Sequence, residues 1–329
     1  MGNDWTLLHA KLHQTLRERK LLPQGRSLLV AVSGGQDSLC LIRLLLDLQP
    51  KWGWQMAIAH CNHRWRSDAS ANADYVQQLA QTWQIPCFVV TAEADLTSEA
   101  SARSWRYQAL AEIAMAQGCS YIVTGHTASD RAETLLYNLV RGSGADGLQA
   151  LVWRRELAPA LAIVRPLLEI TRVETGQFCQ EAQLQVWQDS TNQDWRYARN
   201  RIRQDLLPYL QTHFNPQVES ALSQTAELLR AEVEYLETIT EDWWQKAIAS
   251  SPQDFPAINR LILRAAPLAL QRRVMRRFLL QYLPSAPNFD HTEKLVALIR
   301  APNRSQTDPF PGGAIARVEQ EWIRWSSGE

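Results

Sequence analysis

The stretch from Leu28 to Leu46 constrains this chain more than any other. The apolar run Leu28-Leu29-Val30-Ala31-Val32 leads into Ser33-Gly34-Gly35-Gln36-Asp37-Ser38, and the helix-patterned Leu39-Cys40-Leu41-Ile42-Arg43-Leu44-Leu45-Leu46 follows directly. This order reads as a β-strand feeding a tight glycine turn that opens a helix. A helix start leaves backbone N–H groups unpaired and carries the positive end of the helix dipole. Both favour a phosphate, and two glycines let the backbone approach it without a Cβ in the way. Ser33 and Ser38 add hydroxyl donors, and Asp37 can hold a magnesium ion (Mg2+) beside phosphates. The loop is not a Walker A motif, because the spacing is shorter and no lysine follows the glycines. A bare Gly-Gly between strand and helix is often only a turn, with serine or aspartate as an ordinary cap. Here all five fixed positions of S-G-G-x-D-S are filled in the strand-to-helix setting.

Further strand and helix patterns extend the architecture. Residues 5–20 have Trp5, Leu8, Leu12 and Leu16 near helical spacing. Strands are predicted at 55–60, 86–91, 120–124 and 160–164, and helices at 69–83, 104–117 and 129–141. Strands alternating with helices imply a parallel sheet covered on both faces. Ligands of such sheets bind at the carboxyl ends of the strands, where Ser33, His60 and Gly125-His126 all fall. After about residue 215 the character changes. The segment 221–244 is predicted as a connector helix with Leu228, Leu229 and Leu236 facing inward. Helices are expected near Leu261, at 271–282 and at 292–299, and a terminal hairpin over 315–318 and 322–325. The fold class is therefore α/β, a parallel-sheet domain (1–215), a helical linker (216–250) and a small α+β domain (251–329).

Composition narrows the setting. With 46% hydrophobic and 21% charged residues, the 329-residue chain is that of a folded protein with room for two domains. No apolar run approaches the ~20 residues needed to span a bilayer. The amino terminus lacks a signal-peptide pattern, and a cytoplasmic location is expected. The five cysteines, Cys40, Cys61, Cys87, Cys119 and Cys179, are odd in number and form no Cys-x-x-Cys pair, which argues against disulfides, zinc ribbons and Cys-ligated clusters. The formal net charge is zero, so local arginine clusters matter more than the overall field.

Several segments accompany the loop: His60-Cys61-Asn62-His63-Arg64-Trp65-Arg66, Ala102-Arg103-Ser104-Trp105-Arg106-Tyr107 and Gly125-His126-Thr127-Ala128-Ser129-Asp130-Arg131-Ala132-Glu133-Thr134. Arg141-Gly142-Ser143-Gly144-Ala145-Asp146-Gly147-Leu148, Arg165-Pro166-Leu167-Leu168, Asp189-Ser190-Thr191-Asn192 and Ala198-Arg199-Asn200-Arg201-Ile202-Arg203 come later. In this order and spacing, over residues 26 to about 210, the chain resembles tRNA(Ile)-lysidine synthetases of the PP-loop (ATP pyrophosphatase, adenine nucleotide alpha-hydrolase-like) superfamily. The smaller carboxyl-terminal region resembles that family's tRNA-contacting domain. The loop alone indicates the superfamily; R-G-S-G-x-x-G-L and R-N-R-I-R narrow it.

The resemblance implies a ligase that joins L-lysine to the wobble cytidine of the isoleucine tRNA with anticodon CAU. ATP adenylates the base carbonyl oxygen and releases pyrophosphate; the lysine ε-amine then displaces AMP. It implies ATP contacts at Ser33, Gly34, Gly35, Gln36, Asp37, Ser38, His60, Gly125 and His126, with Asp37 also on magnesium. Asp130 and Glu133, three apart on a helix, share a face and suit a cationic lysine; one of them can take its proton. A plain acidic helix face pairing with Arg131 or Arg103 is the alternative. Arg106 suits the lysine carboxylate or phosphate oxygens, against an ordinary ion pair with Glu112 or Glu99. Arg141, Arg199, Arg201 and Arg203 are candidates for tRNA. So are Arg272, Arg273, Arg276 and Arg277, a basic stripe whose repulsion an anion would relieve. The family's segment commonly has two aspartates where this chain has Ser129-Asp130. Oligomeric state is left open, a homodimer included. The competing readings are a PP-loop tRNA thiolase, which normally needs a cysteine pair, and a nucleotide-binding module without turnover.

Overall fold

A computed structural model describes residues 5–65, 68–93, 98–188, 195, 197–250 and 256–326. The Asp189–Asn192 segment and Arg66 lie outside these. The chain divides into two compact units, Met1–Arg230 and Ala231–Glu329.

The first unit is built on a six-stranded sheet in the order β3-β2-β1-β4-β6-β5. Its strands are β1 (Ser27–Ala31), β2 (Gln55–Asn62), β3 (Cys87–Thr91), β4 (Tyr121–Thr124), β5 (Arg154–Ala158) and β6 (Leu161–Val164). All neighbours run parallel except β5, which pairs antiparallel with β6 at the edge. The central residues of β1 and all of β4 and β6 are buried, and these strands are nearly continuous apolar runs, as a sheet covered on both faces requires. β5 escaped sequence detection because its first three residues, Arg154-Arg155-Glu156, are exposed and charged.

Helices α1 (Leu7–Glu18), α2 (Gln36–Trp52), α3 (Ala69–Thr82), α4 (Glu99–Ala116) and α5 (Ala128–Val140) lie close to the predicted positions. α4 begins earlier than predicted, because Ser98 and Ser101 form a capping box. One core holds α2 against β1 through Leu39, Leu41, Leu44 and Leu45, all fully buried. A second, on the opposite face, gathers Leu29, Leu110, Ile122 and Ile163. Cys40, Cys119 and Cys179 are buried thiols. Because β2 lies to one side of β1 and β4 to the other, the strand order reverses between β1 and β4. A crevice opens there at the strands' carboxyl ends.

Beyond the sheet come α6 (Ala145–Leu148), α7 (Arg172–Glu181), α8 (Ala198–Arg201), a π-helical turn (Ile202–Leu206), α9 (Leu207–His213) and the 30-residue α10 (Val218–Ala247). On α10, Leu228 is exposed at 68%, against expectation. Ser223, Ala226, Val233, Thr240, Trp244 and Ala247 are the buried positions, four of them at seven-residue spacing, and they set the inward face instead.

The second unit has its own core, centred on Val274, Phe278, Leu295, Ile323 and Trp325. Its helices are α11 (Arg260–Arg264), α12 (Leu268–Tyr282) and α13 (Phe289–Leu298). β9 (Ile315–Glu319) and β10 (Trp322–Ser326) form the predicted hairpin. The short β7 (Ile248–Ser250) and β8 (Pro256–Asn259) extend it to an antiparallel sheet of order β7-β8-β10-β9. At three and four residues these strands carry too little pattern to be read from sequence.

Candidate active site

The glycine loop is folded by its own hydroxyls. Ser38 Oγ donates to Gly35 O at 2.8 Å and accepts from the Ser33 N–H at 3.2 Å, while the Gly35 N–H donates to Ser33 Oγ at 3.3 Å. Gly35 caps α2 with no side-chain bond, so the backbone donors of the helix start stay open to a ligand. Gly34 has φ 84°, and a Cβ there would lie 2.5 Å from Asn72 Oδ1; only glycine fits. Gly125, leaving β4, packs so closely that a Cβ would lie 2.8 Å from Asp37 O. The two sides of the crevice therefore meet at Gly125 and the first turn of α2.

Three carboxylates converge beside this junction, and one guanidinium meets all of them. Arg172, the first residue of α7, donates from Nε to Asp37 Oδ2 at 3.1 Å and from Nη2 to Asp130 Oδ1 at 3.1 Å. Its Nη1 donates to Glu133 Oε1 at 3.5 Å. Arg203 grips Glu133 with both Nε (2.6 Å) and Nη2 (2.8 Å). The acidic pair thus pairs with Arg172 and Arg203, not with Arg131 or Arg103; Arg131 instead donates to Glu227 at 2.7 Å. Arg203, a candidate tRNA residue by sequence, lies among the acids, carried on the π-helical turn.

The three acids titrate differently. Burial pushes the Asp37 carboxyl above the usual range, although Arg172 pulls the other way. Burial does the same to Glu133 against Arg203. Asp130 is also penalised by burial, but Arg172 and the Thr127 N–H hold it below the usual range. Thr127 ties Asp130 through its N–H (2.8 Å) and hydroxyl (2.9 Å), completing the capping box of α5. Ser129 is buried, donates to Glu219 Oε2 at 2.6 Å and accepts from the Arg172 N–H at 3.1 Å. Ser129 thus bridges a carboxylate from α10 to the start of α7.

A cavity of about 320 Å³ opens onto Asp130 and Glu133. Arg103, Arg106 and Arg199 line it, with Trp65 and Tyr197 whose rings lie 13° from parallel at 6.4 Å. Arg106 faces this cavity with its guanidinium 5.7 Å from the Tyr107 ring centroid; Glu112 instead accepts from Gln108. His126 also lines it, with Nδ1 2.8 Å from Thr124 Oγ1. Burial, assisted by Arg165, Arg106 and Arg103 and opposed by Asp130, pushes its imidazole down to about 3, so the ring is neutral at physiological pH.

Other sequence candidates take different places. Gln36 Nε2 turns to α7, donating to Arg172 O (2.6 Å) and Thr175 Oγ1 (2.8 Å). His60 is buried, with Nδ1 donating to Val32 O at 2.9 Å, and braces β2 against β1. Arg201 is exposed and donates to Trp195 O at 3.1 Å, while Arg141 donates to Tyr137 OH at 2.7 Å. In the second unit Arg272 pairs with Glu293 at 2.7 Å, Arg273 with Glu237 and Arg277 with Glu241. The mutual repulsion expected along this stripe is thus relieved within the chain. Arg276 also has a partner.

Arg172 is the central site residue that sequence reasoning missed, alongside Trp65, Arg103 and Tyr197 on the cavity wall. α7 has Gly176 in its interior and no strong apolar stripe, so periodicity does not mark it. Its capping box, Thr171 and Glu174, was the readable signal: Glu174 accepts from the Thr171 N–H at 2.7 Å.

Residues 6–210 match a PP-loop domain family and residues 261–323 a TilS substrate binding domain. A tRNA(Ile)-lysidine synthase of Nostoc sp. is 62% identical over 99% of this chain and 98% of its own length. One of Synechocystis sp. is 53% identical, over 98% of each chain. A chloroplastic one of Zygnema circumcarinatum is 36% identical, over 87% of this chain and 78% of its own length. A U34-tRNA thiolase structure from Methanococcus maripaludis shares the fold, with a TM-score of 0.57 at 17% identity, covering 68% of this chain and 77% of that one. The chain belongs to the tRNA(Ile)-lysidine synthase family.

Proposed function

We propose that this chain uses ATP to join L-lysine to the wobble cytidine of the isoleucine tRNA bearing CAU, through an adenylated cytidine. The observation that carries this reading is the convergence of Asp37, Asp130 and Glu133 on Arg172 beside the open start of α2. A phosphate cradle and an acidic cation site share one crevice, and a reaction joining an ATP-activated base to an amine needs both.

The loop N–H groups and the α2 dipole receive the nucleotide's phosphates. Asp37, an oxygen donor at that helix start, suits magnesium shared with those phosphates, as such ions usually keep one or two carboxylates. Bound there, magnesium would neutralise the departing pyrophosphate. The cytosine O2 attacks the α-phosphorus, and the bond to pyrophosphate breaks. Arg103, Arg106 and Arg199 give the cavity the donors that an RNA phosphate or a carboxylate requires. Trp65 and Tyr197 offer faces on which an unstacked base can lie.

In the second step Asp130, held ionised, binds the lysine ε-ammonium. Glu133, whose carboxyl is raised, takes its proton. The amine attacks C2 of the cytosine, and AMP leaves with the oxygen. The incoming cation takes over carboxylate contacts now made by Arg172 and Arg203.

The test mixes purified protein with ATP, magnesium, labelled lysine and an isoleucine tRNA bearing CAU. Lysine enters the tRNA with AMP release, and Asp37→Ala abolishes both. Sulfur incorporation, or nucleotide binding without turnover, refutes the reading.

A further inference from the structure

Two sets of arginines in the second unit differ in what answers them. Those on α12 are answered by carboxylates of the same unit, Glu237, Glu241 and Glu293. On the terminal hairpin Arg317 is not, among the described residues. The register of β9 and β10 sets Arg317 directly opposite Arg324. Both are exposed, while Ala316, Val318, Ile323 and Trp325 alternate with them into the core. Like charges directly opposite one another weaken an antiparallel pair.

Arg304 adds a third charge to this face. Its N–H donates to Val318 O at 2.9 Å, which fastens it beside β9, and its φ is 72°. That left-handed backbone favours glycine, yet here it carries an exposed arginine. Glu319 answers Arg324 at 2.9 Å. Among the described residues, Arg304 and Arg317 make no ion pair. With Asn303, Glu319, Gln320 and the half-buried Trp322, Arg304, Arg317 and Arg324 line a concavity of about 440 Å³, three guanidinium groups against one carboxylate.

We propose that this hairpin face binds RNA, with Arg304 and Arg317 on backbone phosphates and Trp322 as a stacking surface for an unpaired base. Guanidinium forks match phosphate geometry, and an indole beside them suits a ligand that repeats phosphate and base. Arg317 and the strained Arg304, which no carboxylate answers, both make sense when an anion is the missing partner. The inference rests on the proposed function, because it takes tRNA to be the substrate and adds where the second unit holds it.

The experiment compares the full-length chain with Arg304→Glu/Arg317→Glu and the milder Arg304→Gln/Arg317→Gln, all checked for folding by circular dichroism. Affinity for an isoleucine tRNA transcript is measured across a salt series, and ATP affinity separately. Losing two phosphate contacts should raise Kd roughly tenfold and flatten the log Kd against log salt slope by roughly 1.5. The glutamine pair loses less, in the same direction, and ATP affinity is unchanged. A folded variant of either kind with wild-type Kd and salt slope overturns the proposal. A wild-type chain that shows this hairpin-dependent binding but incorporates no lysine supports the RNA face and overturns the functional reading instead.

Discussion

Replacing Arg172 by methionine tests the electrostatic account of the site directly. Arg172 touches Asp37, Asp130 and Glu133, whose side chains are only 16%, 18% and 3% exposed. Its loss leaves three carboxylates facing the single guanidinium of Arg203. Removing one partner of a buried pair costs about 3–5 kcal/mol. Arg172 is itself 31% exposed, so screening by water reduces this to about 2–3 kcal/mol. For a unit of this size the melting temperature should fall by about 5–10 °C.

The sign of the pH dependence is the sharper criterion. Without Arg172 the Asp37 and Glu133 carboxyls rise further above their unfolded values, and Asp130 loses much of what holds it below its own. An acid raised in this way contributes stability below its unfolded pKa and loses it as pH climbs through the folded value. The deficit of Arg172→Met relative to wild type should therefore be small near pH 4 and greatest at pH 7 to 8. Thermal unfolding followed by circular dichroism at both ends of that range reads it. An equal deficit at acid and neutral pH would refute the charge argument and leave only lost packing.

Two further outcomes follow from specific contacts. Ser129→Asp sets a carboxylate against Glu219, now 2.6 Å from Ser129 Oγ, and should destabilise by about 2 kcal/mol. Adding Glu219→Gln should recover most of this in urea unfolding, and strict additivity of the two changes would sink the idea. Glu227 accepts from Arg19, Arg131, Arg230 and Trp153. Burial opposes its charge, but these donors hold the carboxyl down to about 2. Its stabilisation is complete above its unfolded pKa and fades as pH falls from about 4.5 to about 2, by about 3 kcal/mol. Glu227→Gln should flatten that part of the acid stability curve; parallel curves for variant and wild type would count against the assignment.

Patterned features were legible in the sequence. β1, the glycine loop and α2 announce themselves because a buried parallel strand, a turn of small residues and a leucine-rich helix differ sharply in composition. Asp130 and Glu133 were readable as one face because helical spacing links them locally. What joins that face to Asp37 was not readable, since Arg172 comes from a short helix without a strong apolar stripe and contacts residues far away in sequence. Arg203 shows the same limit from the other side. Alternating arginines over 199–203 look alike in one dimension, yet the π-helical turn sends Arg203 to Glu133 while Arg201 remains at the surface. For the α12 arginines, sequence revealed the charges but not the glutamates that answer them.

The order of these residues along the chain also gives the acid cluster a history. A ribosome delivers Asp37, Asp130 and Glu133 first, and Arg203 arrives 70 residues after Glu133. A nascent chain that ends before α7 can align β1 with β4 only by gathering three like charges with no guanidinium among them. Closure of the crevice is therefore postponed until the later arginines emerge, although the strands that frame it are made early. Truncated products inherit the same problem: a fragment that stops before Arg172 holds the sheet's central strands but not the charges that let their ends come together.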